Sequence, residues 1–349
     1  MKIAITSLYL PSESKIGVGY QVHYLANELT RRGHGVTVFS QCRKPAGALY
    51  EVEVIESGRR LRTFSFAWRL RDRDFSAFDV LNAHGDDWFL WGKHLPRHIH
   101  TFHGSCLAEA LHAGPLAAKA RMFALALCEY SVCGLADELV AVSANTQKFI
   151  PMAKRVIPCG VDVEKFRPGQ EKSSEPTILF VGTLHGRKRG RMLVDLFSRM
   201  IRPRIPSARL WAVCEDAVEG EGIVRFGRVP LERLVELYQR AWVFCLPSTY
   251  EGFGVPYIEA MSCGVPVVAS RNVGAMEVTQ DGRSGLTVSD EELAGTLIRV
   301  LENESLRLAL SREGLKRSRD FSWNSVCSQY EALYADRPFA AAVPTRGGG

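Results

Sequence analysis

The sequence predicts an α/β protein built from two parallel-sheet domains, and two observations support this prediction. Short apolar strand candidates alternate with helical patterns, which is typical of parallel sheets joined by crossover helices. The alternation restarts after a segment at 155–162 that is rich in turn residues, and 349 residues are enough for two domains. We therefore expect domains over 1–160 and 161–322, a final helix over 323–337 and a disordered tail over 338–349.

The first half contains short, mostly apolar segments of the length that strands usually have. Between them, two stretches place apolar residues three and four positions apart, which indicates helices at Gln21–Arg32 and Pro115–Leu135. The strand candidates are Lys2–Ser7, Val36–Ser40, Val80–Ala83, Ile99–Phe102 and Glu138–Val142.

The second half repeats the alternation after the polar segment Pro168–Glu175, which follows the expected linker. A last helix is expected near Ser325–Tyr334, packed back on the first domain. Strand candidates are Thr177–Gly182, Leu210–Cys214, Trp242–Leu246 and Pro266–Ala269, and helix candidates are Gly190–Met200, Leu231–Arg240, Val255–Ser262 and Glu291–Asn303.

The charge and the cysteine content indicate which classes of partner and which cellular compartment to expect. The net charge of +6 favours anionic ligands or an anionic membrane surface, but the basic residues are too dispersed for a nucleic-acid-binding stripe. The nine cysteines show no C-x-x-C spacing, which is typical of a reducing compartment. No leader is visible at Met1–Ile5, and no uncharged apolar run reaches roughly 18 residues. We expect a cytoplasmic protein, free or peripheral at the inner membrane face.

The most informative stretch runs from Pro247 to Met261, between a strand candidate and an apolar helix. Its glycine-rich turn lets backbone N–H groups approach a ligand closely, and the start of the helix favours an anion. Glu251 and Glu259 lie eight positions apart here, and carboxylates accept hydrogen bonds from hydroxyls. A solvated loop is the alternative, but Glu259 lies in an apolar sequence that disfavours an unpartnered carboxylate. The pattern predicts a ligand with phosphate and hydroxyl groups.

The segment Glu-Gly-Phe-Gly at 251–254 and the residues that follow it to Ser270 resemble the E-x7-E signature of retaining glycosyltransferases of family 4. The resemblance covers roughly residues 1–335 and implies the GT-B architecture, in which two Rossmann-like domains face each other across a cleft. It also implies retaining transfer of a hexosyl unit from a UDP- or GDP-sugar to a hydroxyl of a glycan, lipid or small molecule. No metal and no cofactor are expected.

The resemblance also assigns parts of the donor to particular residues. Glu259 would hold the ribose hydroxyls, and Glu251 with the neighbouring amides would hold the transferred sugar. The backbone at Arg228 and Val229 would pair with the edge of the nucleobase. The expected donor-binding residues are Gly17, Arg187, Lys188, Arg228, Val229, Glu251, Gly252, Phe253, Gly254, Val255 and Glu259, and the expected catalytic residues are Lys188, Glu251 and His103.

Three consecutive cations, Arg187, Lys188 and Arg189, follow the first strand candidate of the second half. They oppose the dipole of the helix that begins there, so an anion at this strand end would offset their repulsion. A solvated charge run is the alternative interpretation. The family carries an Arg and a Lys five residues apart that bind the diphosphate. Lys188 matches the Lys, but Thr183 occupies the Arg position, so Arg187 or Arg189 would supply the second charge.

Gly17 and Gly19 follow the first strand candidate and raise the hypothesis of a dinucleotide site. Val22 stands where the fingerprint needs a third small residue, and no acid follows the second strand, so this hypothesis is disfavoured. The family carries a Gly-Gly pair here that touches phosphate or acceptor. Gly17 matches its second member and Ile16 replaces the first.

Histidines and carboxylates follow two further strand candidates. His103 is followed by a glycine at a strand end, and in the family this histidine contacts the transferred sugar; a buried structural histidine is the alternative. His84, Asp86 and Asp87 are acceptor-side candidates, because carboxylates there can accept hydrogen bonds from hydroxyls, although a capping turn also explains the two aspartates. These residues lack the spacing of metal ligands, so no metal is expected.

Arginines interleaved with aromatic residues at 59–73 are compatible with a membrane-surface patch, although a half-buried strand and helix with solvated arginines is the favoured interpretation.

Two rival functions stay open. One is another GT-B enzyme, such as a sugar-nucleotide epimerase or a phosphorylase, although the sequence shows no context for a pyridoxal-binding lysine. The other is a non-catalytic nucleotide-sugar-binding or membrane-docking protein, which the threonine at 183 alone favours.

Overall fold

The computed structural model describes residues 1–11, 17–58, 61–112 and 116–336. The chain divides into two compact units. One unit consists of Met1–Thr101, Ser131–Leu139 and Cys327–Gly349, and the other consists of Phe102–Tyr130 and Val140–Val326. Ile16 and the expected tail at 338–349 lie outside the described residues.

Seven strands form the first sheet. They are β1 (Lys2–Thr6), β2 (Gly35–Ser40), β3 (Glu51–Val54), β4 (Val80–Ala83), β5 (Arg97–Phe102), β6 (Glu138–Ala141) and β7 (Arg155–Val156). Their order is β3-β2-β1-β4-β5-β6-β7. The interior strand β1 pairs in parallel with β2 and β4, with Ala4 opposite Thr37 on one side and Leu81 on the other.

Six strands form the second sheet. They are β8 (Thr177–Val181), β9 (Arg209–Val213), β10 (Ile223–Arg225), β11 (Val243–Leu246), β12 (Val267–Ser270) and β13 (Leu286–Val288). Their order is β10-β9-β8-β11-β12-β13, and all five pairings are parallel. Because β8 and β11 are parallel neighbours, the turns that follow them lie side by side.

Helices connect the strands in both sheets. None of those in the described ranges is long and apolar enough to cross a bilayer. They are α1 (Gly17–Arg31), α2 (Arg62–Arg69), α3 (Cys106–His112), α4 (Leu116–Val132), α5 (Ala144–Phe149), α6 (Gly190–Leu196), α7 (Arg202–Arg204), α8 (Leu231–Arg240), α9 (Val255–Ser262), α10 (Val273–Val278), α11 (Asp290–Glu302), α12 (Glu304–Ser318) and α13 (Trp323–Ala335).

The predicted fold class is confirmed, and every strand candidate of the sequence analysis is a strand. The central strands β11 and β12 are buried throughout, which explains why they read as continuous apolar runs. The sequence analysis missed the edge strands β3, β10 and β13. Strand β3 alternates glutamate with valine and is half exposed, so its sequence lacks an apolar run. Strand β7 also falls where only a linker was expected.

The final helix α13 contacts the first sheet through polar side chains. Asn82 of β4 donates to the Tyr334 hydroxyl at 2.7 Å, in a buried position. Glu331 accepts from Arg32 at 2.5 Å and from His34 at 2.9 Å. These residues all belong to the first unit.

Candidate active site

Close backbone packing shapes the glycine-rich turn between β11 and α9. Gly254 has a φ of +105°, and a β-carbon there would lie 2.4 Å from the Tyr257 ring. Gly274, in α10, packs directly against the turn. A β-carbon on Gly274 would lie 2.5 Å from the carbonyl oxygen of Glu251 and 2.6 Å from that of Phe253. Both positions therefore require glycine, and α10 fixes the path of the turn.

Glu251 is the centre of a charged cluster at the ends of β8 and β11. Its side chain is 6% exposed. Lys188 Nζ lies 2.9 Å from one carboxylate oxygen, and Arg187 Nη1 lies 2.8 Å from the other. The Ser248 hydroxyl also donates to Glu251 at 2.7 Å. The structure thus brings together three residues that the sequence analysis took from two separate turns.

The electrostatics of this cluster follow from burial and charge. Burial alone would raise the pKa of Glu251, but Lys188 and Arg187 outweigh it and hold the pKa below its usual range. Glu251 is therefore an anion that offsets one of the two positive charges in the free protein. The Arg187 side chain is 52% exposed, so its guanidinium can also reach an anion in solvent. A bound anion would complete the charge balance of this site, because two cations here face one carboxylate.

Arg189 has a different role from its two neighbours. Its guanidinium makes two hydrogen bonds to Asp290, at 2.5 and 2.8 Å, and its Nε donates to the Pro247 carbonyl at 2.6 Å. Ser270 also donates to Asp290 at 2.8 Å. Arg189 ties the turn after β8 to the ends of β11 and β12, and its polar atoms are committed within the protein.

Asn272 is a site residue that the sequence analysis missed. Its amide nitrogen donates to the Ser248 carbonyl at 3.1 Å and to the Tyr257 hydroxyl at 3.2 Å, and its oxygen caps α10 by accepting from Ala275 N–H. Asn272 therefore joins the Glu251 turn to the start of α10. Its position two residues after a buried strand is the signal that would have identified it.

Glu259, the second carboxylate of the motif, lies one turn into α9. It is half-buried and accepts a hydrogen bond from the Tyr238 hydroxyl of α8 at 3.0 Å. Tyr238 is fully buried, and burial together with the Glu259 charge raises the pKa of Tyr238. Glu259 thus has a fixed position, and it is separate from the Glu251 charge cluster.

Other predicted donor residues lie on other elements of the two units. Arg228 is exposed and Val229 is buried, just before α8, and the preceding Gly227 has a φ of +62°. Gly17 begins α1, and a β-carbon there would meet nothing within 4 Å. Val255 begins α9, and Thr183 makes a local hydrogen bond to the His185 carbonyl.

His103 lies beside the glycine-rich turn. A β-carbon on Gly252 would lie 3.5 Å from the His103 carbonyl oxygen and 3.8 Å from the Gly104 α-carbon. The His103 side chain is half-buried. The structure therefore brings the segment after β5 to the segment after β11, which are far apart in sequence.

The acceptor-side candidates follow β4 and differ in exposure. Asp87 is completely buried and accepts from His98 Nε2 and from His100 Nδ1, each at 2.8 Å. Burial would raise the pKa of Asp87, but the two histidines outweigh it and lower the pKa. Asp87 is thus a structural anion that a ligand cannot reach. Asp86 is 9% exposed and His84 is 7% exposed, so both are largely enclosed.

Among the residues that the structure describes, no three His, Cys, Asp or Glu side chains are placed to hold a metal ion together. All nine cysteines are free thiols, and five of them are buried. Burial raises the pKa of Cys159 to about 12.

Comparisons with known proteins define the class and then the family. A family model described as "Glycosyl transferases group 1" matches residues 175–303, and one described as "Glycosyltransferase Family 4" matches residues 16–165. Together they span most of the chain, and the fold and the E-x7-E turn agree with them. The protein is a glycosyltransferase enzyme. It belongs to the group 1, family 4 glycosyltransferases, which have the GT-B fold.

Relatives agree with this assignment. The chain is 25% identical to D-inositol 3-phosphate glycosyltransferase of Corynebacterium urealyticum, covering 97% of this chain and 96% of the relative. It is 29% identical to O-antigen chain mannosyltransferase B of Escherichia coli, over 79% of this chain and 78% of the relative. The epimerase, phosphorylase and non-catalytic alternatives find no support in these matches.

Solved structures share the fold. Sucrose-phosphate synthase of Thermosynechococcus elongatus superposes with a TM-score of 0.80 at 22% identity, covering 95% of this chain and 98% of that one. Anabaena HepE in complex with UDP-glucose superposes with a TM-score of 0.74 at 18% identity, and the superposition covers 95% of this chain and 99% of HepE.

Proposed function

We propose that this enzyme transfers a hexosyl unit from a nucleoside-diphosphate sugar, a UDP- or GDP-sugar, to a hydroxyl acceptor with retention of configuration. The observation that carries the proposal is the convergence of Lys188 and Arg187 on the buried Glu251. HepE, which shares the fold, was solved in complex with UDP-glucose, and this supports a nucleotide-sugar donor.

The two cations would stabilise the leaving diphosphate. Negative charge grows on that group as the glycosidic bond breaks, and fixed cations aimed at it lower the barrier. Lys188 is 17% exposed and already held by Glu251, so little reorganisation is needed. Thr183 stands at the position of the family arginine, and Arg189 is bound to Asp290. We therefore assign the role of that arginine to Arg187. With two cations present, we propose transfer without a metal or another cofactor.

The two glutamates would bind different parts of the donor. Glu259 lies on α9 beside Tyr238, where it can accept hydrogen bonds from ribose hydroxyls. Glu251, with the Gly252, Phe253 and Gly254 amides, would hold the transferred sugar. His103, whose backbone lies next to Gly252, would contact a hydroxyl of that sugar.

The remaining donor contacts come from loops at the ends of other strands. The backbone at Arg228 and Val229 would bind the nucleobase edge, and Val255 would add an amide at the start of α9. Gly17, which has open space where a side chain would be, would let the backbone approach the phosphate or the acceptor.

A donor screen tests the proposal. UDP, GDP and ADP, and the glucose and mannose derivatives of UDP and GDP, are each added to the protein, and thermal unfolding and donor hydrolysis are measured. A ligand at 100 times its dissociation constant should stabilise the protein by about 2.7 kcal/mol. Arg191→Ala is a matched control, since Arg191 lies close in sequence but pairs with Asp195 on the surface. If no nucleotide stabilises the protein and no donor is hydrolysed, the proposal is wrong.

We also propose peripheral contact with an anionic membrane at the cytoplasmic face. Helix α4 exposes Leu116 at 81%, Phe123 at 45% and Leu127 at 74% along one face. Lys119 lies beside this face, as basic residues do on helices that lie in the interface of anionic lipid. The 59–73 region supports contact less well, because Phe66 is buried, although Trp68 is 56% exposed. Residues 59 and 60 lie outside the described residues.

Vesicle sedimentation tests this contact. Wild type should bind vesicles that contain phosphatidylglycerol and not vesicles of phosphatidylcholine alone. Phe123→Gln with Leu127→Gln should abolish binding. Leu308→Gln, which changes an exposed leucine of α12, should not. Equal binding by both variants would refute α4 as the contact.

A further inference from the structure

The segment that follows β5 carries an exposed carboxylate beside the glycine-rich turn. Glu109 lies in α3, and its Oε1 lies 3.9 Å from the place of a β-carbon on Gly104. Gly104 also meets the turn, because a β-carbon on Gly252 would lie 3.8 Å from the Gly104 α-carbon. Glu109 and Gly252 therefore border the same residue, and all three residues belong to the second compact unit.

Local hydrogen bonds hold α3 in this place. The Ser105 hydroxyl accepts from the Ala108 N–H at 3.4 Å, and the Ser105 carbonyl accepts from the Glu109 N–H at 3.0 Å. Glu129 of α4 accepts from the Cys106 N–H at 2.8 Å. The Glu109 side chain itself makes no hydrogen bond or ion pair within the described ranges. The backbone of Glu109 is thus fixed, and its carboxylate can accept hydrogen bonds from a ligand.

The Glu109 charge acts on groups around the turn. Burial alone would lower the pKa of Arg187, but Glu251 and Glu109 outweigh it and raise this pKa. Burial raises the pKa of Tyr250 to about 12, and the Glu109 charge adds to the increase. The Tyr250 hydroxyl lies 3.9 Å from the place of a β-carbon on Gly252. Glu109 therefore adds negative potential beside Gly252.

A bound donor would leave no positive charge here for a second anion. Arg187 and Lys188 already face Glu251, and an anionic diphosphate bound as proposed would take up the remaining positive charge. A carboxylate on the transferred sugar would then face Glu109 without a counter-ion, and like charges repel. The hydroxyls of a neutral sugar, in contrast, can donate hydrogen bonds to the Glu109 carboxylate.

We infer that Glu109 is a specificity-determining residue that favours donors of a neutral hexosyl unit and rejects donors of a hexuronic acid. The inference rests on the donor site proposed above and names the class of sugar that this site accepts. Two unit charges about 10 Å apart near a protein surface repel strongly enough to change an equilibrium constant about tenfold. We therefore expect a preference of at least this size.

Matched pairs of donors test this inference. UDP-glucose with UDP-glucuronic acid, and GDP-mannose with GDP-mannuronic acid, are offered to wild type, and donor hydrolysis gives kcat/KM for each. In the pair whose nucleotide binds, the neutral member should have a kcat/KM at least about tenfold higher. Raising KCl from about 0.01 M to about 1 M shortens the screening length from about 30 Å to about 3 Å, so this ratio should shrink. An equal or higher kcat/KM for the uronic acid donor overturns the inference.

Two variants assign the preference to the charge of Glu109. Glu109→Gln should lower the ratio of the two kcat/KM values about tenfold, and it should do so by raising kcat/KM for the uronic acid donor. Loss of a merely structural side chain would not raise that value. Glu109→Asp keeps the charge and should keep the preference. Glu313→Gln, which removes an exposed carboxylate of α12, should change neither kcat/KM value.

The outcomes separate this inference from the proposed function. Absence of UDP and GDP binding to wild type would contradict the proposed donor site, and the inference would fall with it. Hydrolysis of a neutral donor with the same donor ratio in wild type and Glu109→Gln would overturn the inference alone. A change in the acceptor KM without a change in the donor ratio would also overturn it, because Glu109 would then bind the acceptor.

Discussion

Lys188 binds the buried carboxylate of Glu251 across 2.9 Å, although the two residues lie 63 positions apart in the chain. The turns that follow β8 and β11 are neighbours because those strands pair in parallel. A diphosphate bound as proposed would therefore meet a lysine whose position is already set by the glutamate of the family motif.

Lys188→Ala should lower turnover far more than it lowers the free energy of unfolding. Loss of one contact to the transition-state charge costs about 2.7–4 kcal/mol, or roughly a hundredfold to a thousandfold in kcat. Single-turnover transfer and urea unfolding are the measurements. Because the substitution also removes a partner of Glu251, the double variant Lys188→Ala, Glu251→Gln serves as the control: it should recover stability but not turnover. Near-normal turnover with unaltered donor affinity would refute the diphosphate role.

Arg187→Ala should mainly change donor binding and turnover, whereas Arg189→Ala should mainly change stability. Arg187 is half exposed and contacts Glu251 and the carbonyl of the preceding residue, Tyr250, so its loss should reduce donor affinity and turnover with little effect on stability. Arg189 joins Asp290 and the Pro247 carbonyl, so its loss should lower stability by about 1–3 kcal/mol. Isothermal titration with the nucleoside diphosphate and thermal unfolding separate the two effects. The opposite pattern would make Arg189 the diphosphate ligand.

Glu259→Ala and Glu251→Ala should also differ. Loss of Glu259 should weaken binding of the free nucleoside diphosphate, because ribose hydroxyls lose their acceptor, at about 1–3 kcal/mol for each stranded group. Loss of Glu251 should spare that binding and reduce transfer. Titration of both variants with nucleoside diphosphate in the absence of sugar is the measurement. An equal loss of affinity for the nucleoside diphosphate in both variants would show that the two glutamates do not bind different parts of the donor.

Transfer should persist in excess chelator. If the proposed donor site is correct, Lys188 and Arg187, which meet at Glu251, would supply the positive charge that a divalent ion would otherwise bring to the diphosphate. The assay compares initial rates with and without EDTA, followed by added magnesium or manganese. Activity that disappears with the chelator and returns with either ion would contradict the prediction.

Asp86 should make stability depend on pH between about 4 and 7. Its folded pKa of about 7 is raised above the unfolded value, so the folded state binds the proton more tightly and stability falls as pH rises through this window. The slope is at most about 1.4 kcal/mol per pH unit. Asp86→Asn should remove this slope and be more stable than wild type at pH 8. Parallel urea unfolding curves for the two proteins at pH 5 and pH 8 would contradict this.

Much of this protein could be predicted from its sequence. Local pattern was sufficient for the central strands, since β8, β11 and β12 are almost wholly buried and consist mainly of apolar residues. It also identified the turn at 251–254, because glycines, two glutamates and an apolar helix occur together in a short segment. Edge strands such as β3 escaped detection, since a half-exposed strand needs few apolar residues.

Only the tertiary structure decided which charges meet. The sequence contains three adjacent cations and cannot separate Arg187 from Arg189, because the Asp290 that binds Arg189 lies about a hundred residues away. It also presents Asp86 and Asp87 as equivalent. In the structure Asp87 is enclosed by His98 and His100, whereas Asp86 takes no part in that pairing. Residue type and spacing determine which groups are present, but burial and long-range pairing determine which of them a ligand can use.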